Sequence, residues 1–154
     1  FRHYLRGLNR IYSRHASLDA FAASEGVGQS EFAPWRLAEV INRELALAND
    51  GNGDSRCLPL NLSTTALKRL NMALRWLVRR DGIVDMGVWE SLTPAQLYIP
   101  LDVHVGNTAR ELGLVTRRAN DRRTAVELTE TLRALRPDDP AFYDYALFGI
   151  GMNL

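Results

Sequence analysis

Of the 19 basic residues in this 154-residue chain, all but Lys68 are arginine. Arginine stays charged at any physiological pH, whereas a lysine can give up a proton and attack as a free amine. That makes Lys68 the one lysine that could act as a nucleophile. Cys57 is the only cysteine, so an internal disulfide framework, a four-cysteine zinc site and a cysteine-ligated iron–sulfur cluster are all excluded. His3, His15 and His104 are never paired at metal-ligand spacing, and Asp102-Val103-His104 offers too few ligands for a metal. No metal site is expected, and His104 is expected to be structural. Neither a glycine-rich phosphate loop nor a nucleophile elbow is present. Asn49-Asp50-Gly51-Asn52-Gly53-Asp54 lacks the spacing and closing glutamate of a calcium loop and reads as a chain break.

The charges are unevenly spread. The net charge is only +1, but residues 61–80 hold Lys68, Arg69, Arg75, Arg79 and Arg80 with no acid. Residues 81–109 hold Asp81, Asp85, Glu90 and Asp102 with no base, and Arg110, Arg117, Arg118, Arg122 and Arg123 follow. Two basic clusters of this kind suit a phosphate backbone, or serve only as a solvated surface. Hydrophobic residues at 46% and charged residues at 24% are ordinary globular values, enough for one domain with a real core. The longest uncharged apolar stretch falls short of the ~20 residues of a membrane span.

These side chains need elements to hold them. Tyr4, Leu8 and Ile11 keep helical spacing over 2–14, and Ser17 caps a short helix through Phe21. Residues 24–30 read as a loop. Trp35, Leu37, Ile41 and Leu45 mark a helix over 34–48. Ser63 is placed to cap a helix over 64–80. At about 100° per residue, its face carrying Lys68, Asn71, Met72, Arg75 and Arg79 lies opposite the apolar one. Trp76, beside that basic stripe, is a candidate to stack on a base. Thr93-Pro94 opens a short helix within the irregular 81–100 segment. Val105, Ala109 and Leu112 give a helix ending at Gly113. Ala125, Leu128, Leu132 and Leu135 give another, capped by Asn120 or Asp121 and stopped by Pro137. Asp139-Pro140 opens the last, through about Phe148. The expectation is a single all-α domain over 1–154, a compact bundle of six or seven helices with no strand.

Ile99-Pro-Leu-Asp-Val-His-Val-Gly-Asn-Thr-Ala-Arg-Glu-Leu-Gly-Leu114 resembles the segment that carries the catalytic aspartate in the helix-hairpin-helix DNA glycosylase superfamily. The matching positions are Pro100, Leu101, Asp102, Val103, His104, Arg110, Leu112, Gly113 and Leu114. Tyr145-Ala-Leu-Phe-Gly149 is similar to that superfamily's closing helix. A closer resemblance covers most of the chain. Residues 68–79, 99–114 and 142–148 together resemble an uncharacterised bacterial family, the domain of unknown function 2400. Members of that family usually have a further N-terminal portion. The chain begins Phe1-Arg2-His3 without an initiating methionine, so it reads as the C-terminal part of a longer protein, with possible contact to that portion.

The superfamily resemblance implies roles. Asp102 would stabilise the cationic sugar, and Lys68 would attack the sugar C1′ and form a Schiff base. Ser63 and Thr64 would bind phosphate at a helix N-terminus, replacing the superfamily's glycine-containing turn, which this chain lacks. Arg75, Arg79, Arg117, Arg118, Arg122 and Arg123 would contact phosphates. The acidic 81–98 segment lengthens the usual spacing between the lysine and the aspartate. The expected partner is DNA, with no cofactor and no iron–sulfur cluster, because no cysteines follow the closing glycine. The expected activity is removal of a modified or damaged base, with or without strand cleavage. A nucleic-acid-binding module of the same fold without chemistry, and a structural or protein-interaction domain, are the alternatives. With no signal peptide or membrane segment visible, the expected compartment is the cytoplasm.

Overall fold

The computed structural model describes residues 2–53 and 55–153; Asp54 of the expected chain break and the ends of the expected domain, Phe1 and Leu154, lie outside them. Seven α-helices and three short 3-10 turns account for the regular structure among these residues, and an isolated bridge between Arg80 and Met86 is the only β-type pairing. The all-α expectation therefore holds.

The first helices follow their sequence signals closely. α1 spans Arg2–Tyr12, and α2 spans Leu18–Ser24. The Ser17 hydroxyl accepts from Ala20 N at 2.9 Å, so one of the unpaired N–H groups at the start of α2 is satisfied. α3 spans Ala33–Leu47 with Pro34 in its first turn, where the missing N–H costs nothing. α1 crosses α3 closely: a Cβ on Gly7 would lie 3.0 Å from the Leu45 backbone. Arg10 donates to the buried Glu44 carboxylate at 2.8 Å, and Arg14 closes on the same oxygen.

α3 separates two cores. Leu37, Val40, Ile41 and Leu45 face one, with Ile11 of α1, Phe21 of α2 and Leu74 and Val78 of α4 (Lys68–Val78). Trp35 and Ala38 face the other. It is completed by Val105 and Ala109 of α5 (Val103–Glu111), Leu128 and Leu132 of α6 (Arg122–Leu135) and Leu147 of α7 (Asp144–Asn153). Gly113, at φ 70°, closes α5 as the sequence indicates. Asp121 rather than Asn120 caps α6, accepting from Thr124 N at 3.0 Å. The Thr93-Pro94 helix is a single 3-10 turn, Pro94–Gln96.

Two boundaries differ from expectation by more than three residues. α4 begins at Lys68 rather than at residue 64. The last helix follows a 3-10 turn, Pro140–Tyr143, and runs through Gly149 and Gly151 instead of stopping near Phe148. Gly151 is there because α7 crosses α5 at close range. A Cβ at that position would lie 2.6 Å from Thr108 Oγ1 and 3.0 Å from the His104 carbonyl oxygen. Gly151, beyond the expected end of the helix, is a packing requirement.

Candidate functional site

The turn before α4 decides where Lys68 stands. Leu67 sits in the left-handed region, φ 49° and ψ 39°, which costs a non-glycine residue about 1–2 kcal/mol. Its surroundings hold it there. The Leu67 side chain is 4% exposed in the second core. The Leu67 N–H donates to Thr65 Oγ1 at 3.2 Å, and the Thr65 carbonyl accepts from Trp35 Nε1 at 2.9 Å. The Ala66 carbonyl accepts from Asn71 Nδ2 at 2.9 Å, and the Thr64 carbonyl accepts from Arg122 N at 2.8 Å. Residues 64–67 are thus pinned as non-helical chain, and helix formation starts at the lysine. Ser63 does not cap α4. Its N–H and hydroxyl donate to Asn61 Oδ1, at 3.0 and 2.7 Å, in a separate turn.

Asp102 approaches Lys68 from the N-terminus of α5. Its carboxylate is shared between two tasks. Oδ1 accepts from Val105 N at 2.9 Å and caps the helix, and Oδ2 lies 3.1 Å from Lys68 Nζ. The aspartate side chain is 12% exposed and the lysine side chain 47%. A pair this open to water contributes at most about 1 kcal/mol to stability. The cap fixes the carboxylate, and the Asp102 carbonyl is held by Gly106 N at 2.9 Å and Asn120 Nδ2 at 3.1 Å.

The pair stands at a cleft of ≈ 190 Å³ whose apolar walls include Met72, Trp76, Val105, Tyr145 and Phe148. His104 packs edge-on against Phe148 with ring centroids 5.7 Å apart, a structural contact. Deeper in, the cleft meets Arg75 and Asp144. Arg75 is 1% exposed. Its Nη1 donates to Asp144 Oδ2 at 2.9 Å and its Nη2 to Asp85 Oδ2 at 3.2 Å, while the Tyr145 ring covers it at 3.5 Å. Arg79 donates to both Asp139 oxygens at 3.0 Å and pairs closely with Asp85. Burial pushes the Asp144 carboxyl above its ordinary value; Arg75 pulls it back, and Asp102 and Asp85 push it further up.

This arrangement corrects the expectation of phosphate contacts for Arg75 and Arg79. Both are buried and paired with carboxylates, so neither faces a backbone outside the protein. The helical wheel places them correctly opposite the Leu67–Leu77 face, but that side is also covered, by Asp85 of the 81–88 loop and by Asp139 and Asp144. Arg117 is tied within the protein as well, to Thr124 Oγ1 at 3.0 Å and Asp121 Oδ2 at 2.6 Å. Arg122 reaches the Leu62 carbonyl at 3.3 Å, and its guanidinium lies 5.0 Å from the Phe32 ring and 4.8 Å from that of Trp35. Arg118 and Arg123 are exposed, with no side-chain hydrogen bond or ion pair among the described residues. The Arg122–Thr64 bond brings Ser63 and Thr64, both exposed, beside the start of α6. The 117–121 loop rests on Asp102 through Asn120.

Sequence reasoning missed Asp144, Tyr145, Phe148 and Met72 as cleft residues, and Asp85 and Asp139 as partners of the arginines. One signal was present. The 61–80 segment has no acid and the following 81–109 segment has no base, a complementarity that Arg75, Arg79 and Asp85 fulfil by pairing. Among the described residues no three His, Cys, Asp or Glu side chains gather to hold a metal, and no helix is long and apolar enough to cross a membrane.

The fold and the cleft define an all-helical protein that holds a lysine–carboxylate pair against an aromatic wall. The chain belongs to the family described as protein of unknown function DUF2400, which matches residues 1–153. No curated protein and no solved structure matches it, and nothing in these comparisons connects the family to the helix-hairpin-helix glycosylases.

Proposed function

We propose that the protein acts on DNA as an N-glycosylase with lyase chemistry, removing a modified or damaged base, in the manner of the helix-hairpin-helix glycosylases it resembles in sequence. The observation that carries this reading is the 3.1 Å approach of Lys68 Nζ to Asp102 Oδ2 at the mouth of an aromatic cleft. Lys68 is the only lysine in the chain, and Asp102 is held by a helix cap, so a nucleophile and a fixed carboxylate meet where a flat ring can be seated.

The chemistry balances on these two groups. Asp102 takes a proton from the Lys68 ammonium. The freed amine lone pair forms the N–C1′ bond as the C1′–N bond to the base breaks, its electron pair leaving with the base. Opening of the sugar ring then gives the iminium. Of the three ammonium hydrogens, one stays on the iminium nitrogen, one goes to the sugar O4′ and one to the departing base, with Asp102 as the relay. The same carboxylate stabilises the positive charge that develops on the sugar. The base must leave the helical stack to reach the cleft. Arg118 and Arg123, with the exposed Thr64, remain free to meet the phosphate backbone, while the Ser63 donors are held by Asn61 and neither Ser63 nor Thr64 stands at the N-terminus of α4.

The test is borohydride trapping on duplexes carrying an abasic site or one of a panel of damaged bases. The expected result is a covalent protein–DNA adduct that disappears in Lys68→Ala. An adduct that survives in Lys68→Ala, or none with any duplex, refutes the assignment of the nucleophile.

A further inference from the structure

We infer that Asp144 is a specificity residue for the base: its carboxylate accepts a hydrogen bond from an N–H on the edge of the ring seated in the cleft. This rests on the glycosylase reading above and names the substrate class for the same site, a base bearing an amino donor.

Three observations lead there. The cleft, at ≈ 190 Å³, is smaller than the roughly 300–1,000 Å³ of sites that take drug-sized ligands, so its occupant is one ring system. Its walls supply flat or polarizable surfaces from Trp76, Tyr145, Phe148 and Met72, which favour an aromatic heterocycle but do not distinguish one from another. Discrimination must come from the polar groups. Lys68 and Asp102 are committed to the sugar, which leaves Asp144 as the carboxylate available to the base.

Asp144 is built for that task. The residue is 7% exposed, yet it lines the cleft. Its Oδ2 is occupied by Arg75 Nη1 at 2.9 Å, while Oδ1 has no hydrogen-bond partner among the described residues. Oδ1 keeps contact with solvent in the open cleft; a ring seated there displaces that contact and either supplies a donor in its place or leaves the oxygen buried and unpaired. The acceptor is also rigid. Arg75 is clasped at its other end by Asp85, and the Tyr145 ring covers it at 3.5 Å, so Asp144 cannot turn away from a ring that lacks a donor. A site of this kind rejects the analogue that leaves its buried polar atom unpaired.

The experiment compares duplexes carrying a single 2-aminopurine or a single purine, which differ only in the amino group. Each is placed opposite an abasic position, so that extruding the ring is equally easy. A third duplex carries a tetrahydrofuran residue and no base. Wild type is expected to bind the 2-aminopurine duplex about tenfold more tightly than the purine duplex, the scale of one hydrogen bond to a charged acceptor. In Asp144→Asn the amide oxygen still accepts from Arg75 and the NH₂ group presents a donor instead, so the preference is expected to fall to about twofold or less. Affinity for the tetrahydrofuran duplex stays the same in both proteins. Equal wild-type affinity for the two base-containing duplexes overturns the inference without needing any variant to fold, and so does a preference that persists in Asp144→Asn. Trapping on an abasic duplex together with no base preference removes the Asp144 assignment alone. Failure to bind or trap any duplex removes the glycosylase reading and the assignment together.

Discussion

Replacing Arg75 with methionine tests whether the basic stripe of α4 is an outward-facing surface or an internal clamp. The cluster contains two cations, Arg75 and Arg79, and three anions, Asp85, Asp139 and Asp144. In Arg75→Met, Arg79 still serves Asp85 and Asp139, but Asp144 loses its only cation. Removing one partner of a buried pair typically costs about 3–5 kcal/mol. Methionine roughly preserves the volume beneath Tyr145, so the packing contribution stays below about 1.5 kcal/mol. Against a total stability of about 5–15 kcal/mol, the loss is severe. Asp85→Asn provides the internal comparison. Without the Asp85 charge, Arg75 keeps Asp144 and Arg79 keeps Asp139, so the expected cost is only about 1–3 kcal/mol.

Urea unfolding at pH 7 reads both values. Arg75→Met is expected to be the more damaging, and its deficit is expected to narrow on acidification. The reason is that Asp144, already raised by burial and now lacking Arg75, can be protonated and no longer holds an unpaired charge. Solvated surface arginines would give changes within about 0.5 kcal/mol. Changes that small in both variants, or an Asp85→Asn cost above that of Arg75→Met, would refute the reasoning.

Asp102 performs two tasks that substitution can separate. Asp102→Asn keeps an N-cap of equal quality, so thermal unfolding should be nearly unchanged, whereas Asp102→Ala should lose about 1 kcal/mol; both are expected to slow adduct formation at least about 100-fold, the scale of a missing acid–base group. An Asp102→Ala of unchanged stability would count against the cap, and an active Asp102→Asn against the carboxylate relay. Acid stability has a defined sign. Burial raises Glu44 and Asp19, but the Arg10 and Arg14 hydrogen bonds to Glu44 and the Ser91 and Glu90 donors to Asp19 outweigh it and leave both below their ordinary values. The Thr124 N–H lowers Asp121, and the N–H groups of Ile83, Val84 and Asp85 hold Asp81 at about 2. Their contribution is complete above the ordinary values of 4.5 for Glu44 and 3.8 for aspartate and disappears as pH falls below them, so urea midpoints should drop between pH 5 and 2. A flat profile over that range would contradict the hydrogen bonds described.

Much of the framework was legible because the forces that set it act over a few residues. Ser17, Asp102 and Asp121 accept from N–H groups three positions ahead, Gly113 takes the left-handed closing position, and the apolar spacing of α3 selects the face it buries. The singularity of Lys68 was visible by counting. The start of α4 was not, because the local preference of Ser63 for a cap is overridden by Trp35 and Arg122, which arrive from other helices to hold residues 64–67 out of helical geometry. The inward turn of Arg75 and Arg79 was hidden for a related reason. Their carboxylates, Asp144 and Asp139, lie 69 and 60 positions further along the chain, and periodicity identifies a face without identifying what covers it.

The sequence by itself therefore determined most of the elements: helices, the caps of α2, α5 and α6, the apolar faces and the single amine able to act as a nucleophile. Tertiary structure decided the site. It turned a run of arginines into an internal clamp, used Gly151 to bring α7 against α5, and through that crossing placed Asp144, Tyr145 and Phe148 across from Lys68 and Asp102. Caps and helical faces depend on atoms within one turn of chain, whereas a cleft exists only where separate helices have packed.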